Sequence, residues 1–255
     1  MYKKFTAIEW KKILGLPEDY KISGFIINGT WNVEDAFGTY KKNLDTLGIK
    51  YEVRTLENFL SHILEVNINS KKYWFVCAYG GARLSEYAHI ACLLGSKKNI
   101  CVGSCGGLQK QGSSADVIIP TQSYGAESCT RMYARNNKLN LHKSNPKLSK
   151  EIEILLPKNL TIWKGPIVTC QAMLAETLTD IKTWTKIGFL GVEMETSTLF
   201  AVSNHFKVPC AAMVYISDNL VKGQTVGDEK HIEEKAKRRL VKDEIFMTAI
   251  RAILL

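Results

Sequence analysis

Read for the spacing of its apolar and polar positions, the chain alternates short β-rich runs with longer amphipathic ones. KISGFIIN (21–28) predicts a strand, and VEDAFGTYKKNLDTLGI (33–49) an amphipathic helix that stops at Gly48. IKYEVRTL (49–56) predicts another strand, KYWFVCAYG (72–80) a buried one, and LSEYAHIACLLG (84–95) a helix closed by Gly95. NICVGSCGGL (99–108) reads as a strand running into a glycine turn, and ADVIIPT (115–121) as a further strand. IGFLGVEME (187–195) and VPCAAMVYISDN (208–219) complete the strands, and one long helix is expected over 229–255. Strands alternating with helices predict an α/β fold: one domain over 1–255, in three layers, with a twisted mixed, mainly parallel central sheet flanked by helices. Residues 1–20 form an N-terminal extension to it. Residues 122–160 are polar and irregular, and are expected to be a surface excursion.

Composition narrows the classes. With 255 residues and 45% apolar content the chain has enough material for one sizeable core. No apolar run approaches the roughly 18 residues of a membrane span. The opening MYKKFTAIEWKKILG has neither an apolar h-region nor a cleavage site, so a cytoplasmic location is expected. Seven cysteines are an odd number set mostly in apolar runs, which reads as buried free thiols. The five histidines show no ligand spacing, and Cys101 and Cys105 have no second close pair, so no metal is expected. The net charge of +9 is dispersed. Its densest run, KAKRR (235–239), lies in a helical pattern and reads as a solvated face, not a nucleic-acid patch. A basic chain does suit an anionic small molecule.

Ligands of open α/β sheets sit beyond the carboxyl ends of the strands. NGT (28–30), YGGAR (79–83), GSCGG (103–107) and SDN (217–219) fall at such ends, as do Glu193 and Glu195 in GVEMET. No GxGxxG, GxxxxGK[ST] or GxSxG is present, so dinucleotide, phosphate-loop and nucleophile-elbow chemistry have no motif here. Asp218 ends an apolar strand, where a desolvated carboxyl holds its proton toward neutrality and can donate it. A helix cap or turn is the plainer role for Asp218, and a buried ion pair with a lysine the plainer role for the two glutamates.

Taken together, VGSCGGL (102–108), GVEMET (191–196) and SDN (217–219) resemble the nucleoside phosphorylase and nucleosidase superfamily, over roughly residues 20–255. The resemblance implies that family's single-domain phosphorylase/hydrolase-like fold and a dimer, trimer or hexamer of identical chains. It implies cleavage of the N-glycosidic bond of a small-molecule nucleoside, purine preferred, with no cofactor. Inorganic phosphate would be the co-substrate of a phosphorylase. Glu195 would hold the ribose 2′- and 3′-hydroxyls, Met194 would pack on the sugar, and Glu193 would stand near the base or ribose. Asp218, with Ser217 beside it, would be the acid at the leaving base. Ser104 and Gly106 would line the sugar and nucleophile site, and Met173 would take the place of an aromatic that stacks on the base.

The chain departs from the family's pattern at its phosphate ligands. Arginines expected in the first loop and before the glycine-turn serine are replaced by Val33 and Cys101. Around Gly29, Arg83 and Lys222 are the substitute cations, each with a surface salt bridge as its plainer role. The missing arginines leave hydrolysis open, with Glu34 or Asp35 as the group activating water, although both fit the first turn of a helix equally well. A catalytically silent nucleoside-binding protein on the same fold is the remaining alternative. Neither nucleic acid nor membrane is expected as a partner.

Overall fold

Alternation along the central strands decides which layer each helix joins. In β1 (Gly24–Gly29), Phe25 and Ile27 point into one apolar cluster and Ile26 into another; in β4 (Lys71–Ala78), Trp74 and Val76 oppose Tyr73 and Phe75 in the same way. The Ile26 side is covered by α2 (Val33–Thr46), α5 (Pro146–Leu155) and α9 (Lys235–Leu254), through Leu44, Ile152, Ile245 and Phe246. The Phe25 side is covered by α3 (Gly81–Leu93) and α7 (Thr196–His205), through Leu84, Tyr87, Leu199 and Phe200. The computed structural model describes residues 2–57, 60–127 and 129–255.

The remaining strands are β2 (Glu52–Thr55), β3 (Ile63–Ile68), β5 (Asn99–Gly107), β6 (Val117–Gly125), β7 (Leu141–Lys143), β8 (Ile162–Thr169), β9 (Gly191–Glu193) and β10 (Cys210–Asn219). All ten belong to one sheet. Its pairings run β2-β3-β4-β1-β5 and then β5-β10-β6-β8-β9, with β9 returning to β5, so one end of the sheet curls back on itself.

The three-layer α/β architecture is as expected, but the sheet is not mainly parallel. Among the described residues five pairings are parallel and five antiparallel. Three of the five antiparallel pairings involve β3 or β7, strands that the apolar pattern left out. β3 is joined to β4 by the turn Asn69–Ser70, both at positive φ, and β9 is only three residues long. The expected strand over 187–195 is reduced to three residues: α6 (Leu178–Ile187) ends at Gly188 with φ of 96°, and pairing begins only at Gly191 and ends at Glu193. The stretch 122–160 is not an irregular excursion. It completes β6, then forms α4 (Cys129–Tyr133), β7 and α5, whose Asn145 side chain accepts from Leu148 N at 2.9 Å as an N-cap.

The 1–20 extension carries α1 (Ala7–Ile13), which leans Trp10 and Leu14 onto the α3 layer. The expected C-terminal helix is broken at Glu234 into α8 (Glu229–Glu233) and α9. Within KAKRR, Arg238 is buried and not solvated. All seven cysteines are free.

α9 docks closely on β1. A Cβ at Gly24 would come within 2.4 Å of Ile253 Cγ1. Gly24→Ala must displace the Ile253 side chain or the helix that carries it, and should lower unfolding free energy by about 1–3 kcal/mol, read as an earlier urea midpoint.

Candidate active site

The carboxyl ends of β1, β4, β5, β8, β9 and β10 open onto a cavity of about 350 Å³. Gly29 and Thr30 enter from β1, Tyr79 from β4, Ser104 to Gly106 from β5, and Glu193 to Glu195 from β9. Met173 and Glu176 follow β8, and Ser217 and Asp218 belong to β10. The β10 register explains how two consecutive residues both reach the cavity. Ile216 pairs with Cys105 but Asp218 pairs with Gly106, so Ser217 is an extra, bulged residue. On a flat strand, neighbours point to opposite faces.

The seam between β9 and α7 sets the other side of the cavity. Glu193 is buried under the first turn of α7 and accepts four hydrogen bonds: Thr169 Oγ1 at 2.5 Å, Glu195 N at 2.8 Å, Thr196 N at 2.7 Å and Thr196 Oγ1 at 2.8 Å. Donors and helix dipole together make this a place for an anion. Its capacity is filled by the protein, so Glu193 holds Glu195 in place and has little left for a ligand. Glu195 accepts from Gly80 N at 2.7 Å through Oε1, while Oε2 stands beside Gly29, where a Cβ would lie 2.5 Å from it. Only glycine fits there. Gln171 braces the same corner, accepting from Gly81 N at 2.8 Å and donating to Met194 O at 2.6 Å.

Burial pushes both glutamates upward. At Glu193 the four donors oppose the push. At Glu195 the charge of Glu193 adds to it, raising the carboxyl from 4.5 to about 8. Glu195, with fewer donors than Glu193, is the carboxyl of the pair on which the upward push is less opposed. Asp218 is also raised by burial, with the Ser217 hydroxyl that donates to Oδ1 working against it. Glu176 is raised to about 7, first by burial and then by the charges of Asp218 and Asp180.

Of the residues expected at a site, Gly29, Ser104, Gly106, Met173, Glu193, Met194, Glu195, Ser217 and Asp218 meet in this cavity. Of the tentative phosphate or water groups only Gly29 is among them. Arg83 is exposed on α3 and donates from Nε to Tyr87 Oη at 2.9 Å. Glu34 is exposed in the first turn of α2, and its neighbour Asp35 pairs with Lys242 at 3.0 Å. Lys222 donates to Gly112 O at 2.8 Å, and Cys101 is buried in the α3/α7 layer. The described lining contains no lysine, arginine or histidine. Among the described residues no cluster of His, Cys, Asp or Glu is placed to hold a metal.

Sequence reasoning missed Glu176 and the edge-on pair Trp31 and Tyr79, whose ring centroids are 5.0 Å apart at the cavity's rim. The signal for Glu176 was the capping box Thr177–Asp180, which starts α6 and places the preceding residue at the end of a strand-to-helix turn.

The family model of the phosphorylase superfamily matches residues 73–253. The chain belongs to the phosphorylase superfamily. Its relatives in that superfamily include a DeoD-type purine nucleoside phosphorylase of Alkaliphilus metalliredigens, 26% identical over 188 residues that cover 68% of this chain and 81% of the relative. A second, from Clostridium novyi, is 28% identical over 181 residues, covering 66% and 78%. Among solved structures, uridine phosphorylase from Vibrio fischeri superposes with a TM-score of 0.75 at 16% identity, covering 92% of this chain and 94% of that one. At that identity the likeness is one of fold.

The raised carboxyl predicts a pH dependence of stability in this superfamily member. A folded value above the unfolded one makes Glu195's contribution fully present below about pH 4.5 and lost as the pH rises through about 8. Urea unfolding of the empty protein should show stability falling across that window, and Glu195→Gln should flatten the fall.

Proposed function

We propose that the protein cleaves the N-glycosidic bond of a nucleoside, preferentially a purine nucleoside, by phosphorolysis. The observation that carries this reading is the meeting of two buried, proton-holding carboxyls, Glu195 from the N-cap of α7 and Asp218 from β10, in one cavity whose other walls include Met173, Val192 and Leu220. Breaking the bond from the sugar C1′ to the base nitrogen builds positive charge on the sugar and negative charge on the base. Glu195 Oε2 is the acceptor for the ribose hydroxyls; as these donate to it, the ionised form is favoured and the charge stabilises the cationic sugar. Asp218, its carboxyl oriented by Ser217, gives its proton to the purine ring as the base leaves. A phosphate oxygen then bonds to C1′, and the products are the free base and a sugar 1-phosphate. Met173 packs on the base, and Glu176 is a second titrating group in the same wall. The named activities of the purine nucleoside phosphorylase relatives support the reading. It takes the whole chain as the working unit, in an assembly of identical copies.

One observation favours a second reading. A phosphate dianion needs cations, and the lining offers carboxyls and none. Phosphorolysis then requires a neighbouring copy to supply them, whereas water as acceptor requires none.

Base release from inosine, adenosine, guanosine, uridine and methylthioadenosine, with and without phosphate, is the test. Phosphate-dependent release from the purine nucleosides with formation of sugar 1-phosphate is expected. Phosphate-independent release of free sugar would replace phosphorolysis by hydrolysis. Asp218→Asn should lower turnover about 10²–10⁴-fold while substrate still binds. Binding without release from the unaltered protein would make it a silent binding protein.

A further inference from the structure

A second cavity, of about 550 Å³, lies between α2 and α9. Its origin is visible in the spacing of α9. Ile245 and Ala249 belong to the helix's buried stripe; seven residues back lie Arg238 and Lys242, and Lys235 lies seven before Lys242. The stripe that is apolar over the sheet thus turns cationic in the first two turns. On the α2 side the cleft has Gly38, where a Cβ would meet nothing within 4 Å.

Two ion pairs bridge the helices, Lys42 to Asp243 and Lys242 to Asp35. Three further cations lining the cleft, Lys235, Arg238 and Arg239, have no carboxylate partner among the described residues. Arg238 is 6% exposed, and its guanidinium donates only to neutral oxygens, Ser114 Oγ at 3.3 Å and the carbonyl of His231. Like charges three and four residues apart on one helix repel, and Arg238, buried without an ion-pair partner, feels a carboxylate only at longer range, that of Asp218. The arrangement wants an anion.

We propose that this cleft is a binding site for a small phosphate-bearing anion, separate from the nucleoside cavity. Arg238 forms its floor and Lys235 and Arg239 its mouth. The cations sit within a cleft between two helices, which suits a compact anion; a flat strip of exposed lysines would suit a duplex backbone better. The cleft also adjoins the first cavity: Tyr215, in its wall, pairs across the β5–β10 ladder with Ser104, which lines the nucleoside cavity.

The test is calorimetric titration of the full chain, without nucleoside, with pyrophosphate and separately with inorganic phosphate. Saturable one-site binding of pyrophosphate, tighter than phosphate, is expected. The double variant Lys235→Ala/Arg239→Ala should weaken it at least about tenfold, because both side chains are exposed and dispensable for folding. Gly38→Glu places a carboxylate in the open space of the cleft and should weaken it comparably, with far-ultraviolet circular dichroism unchanged. Pyrophosphate binding that is absent, or equal in the unaltered protein and both variants, would overturn the proposal. So would a duplex oligonucleotide that binds more tightly than pyrophosphate and loses its affinity in the same variants. The readout is binding alone, so failure of the nucleoside-cleavage reading leaves it untouched.

Discussion

An ionised carboxylate sealed beneath the first turn of a helix is tolerable only if the protein supplies every partner that water would have supplied. Glu193 has four donors, from Thr169, Glu195 and Thr196, at 2.5 to 2.8 Å. Each charged hydrogen bond contributes roughly 1.5–3 kcal/mol, and the loss of one would leave much of the desolvation cost uncovered. Because those donors belong to β8, to the seam itself and to α7, satisfying Glu193 fixes three elements relative to one another. The position of Glu195, and with it the shape of the cavity at Gly29 and Gly80, follows from that single requirement.

The same economy separates charge in space. Four carboxyls, Glu176, Glu193, Glu195 and Asp218, line one cavity of a chain whose net charge is +9. Three cations without an ion-pair partner, Lys235, Arg238 and Arg239, lie in the cleft between α2 and α9, on the far side of a wall shared through Ser104 and Tyr215. Burial raises the proton affinity of all four, and neighbouring carboxylates add to it at Glu195 and Glu176. Cations mixed among them would lower it.

Much of this was legible in residue order. β1, β4, β5, α2 and α3 announce themselves by alternation, helical spacing and terminal glycines, and the polar clusters at the strand ends do meet in one place. Three things were hidden, for different reasons. β9 is three residues long, and the apolar run over 187–195 that contains it hides where pairing starts and stops. The antiparallel partners β3 and β7 depend on turns with positive φ at Asn69, Ser70 and Asn140, residues that also occur in ordinary loops. The direction of Asp218 depends on the bulge at Ser217, and a strict count of alternation would have sent neighbouring residues to opposite faces. Arg83 and Glu34 lie outside the cavity because nearness in the chain to Gly29 and YGG does not set direction, and each helix turns them outward.

The free thiols have a consequence for how the sheet breathes. Cys77, Cys101 and Cys210 are sealed in the layers, and burial pushes their thiols up, so they cannot meet a reagent while the strands stay closed. Cys129 and Cys170 are partly open. The protein therefore carries its own clocks: the outer thiols mark time zero, and each inner one is modified only as often as its stretch of sheet opens. Cys105 stands between these two groups, nearly buried yet part of the cavity wall. Its rate measures the opening of the pocket apart from the opening of the fold, so occupancy of the cavity becomes visible from the protein side with no label on the ligand.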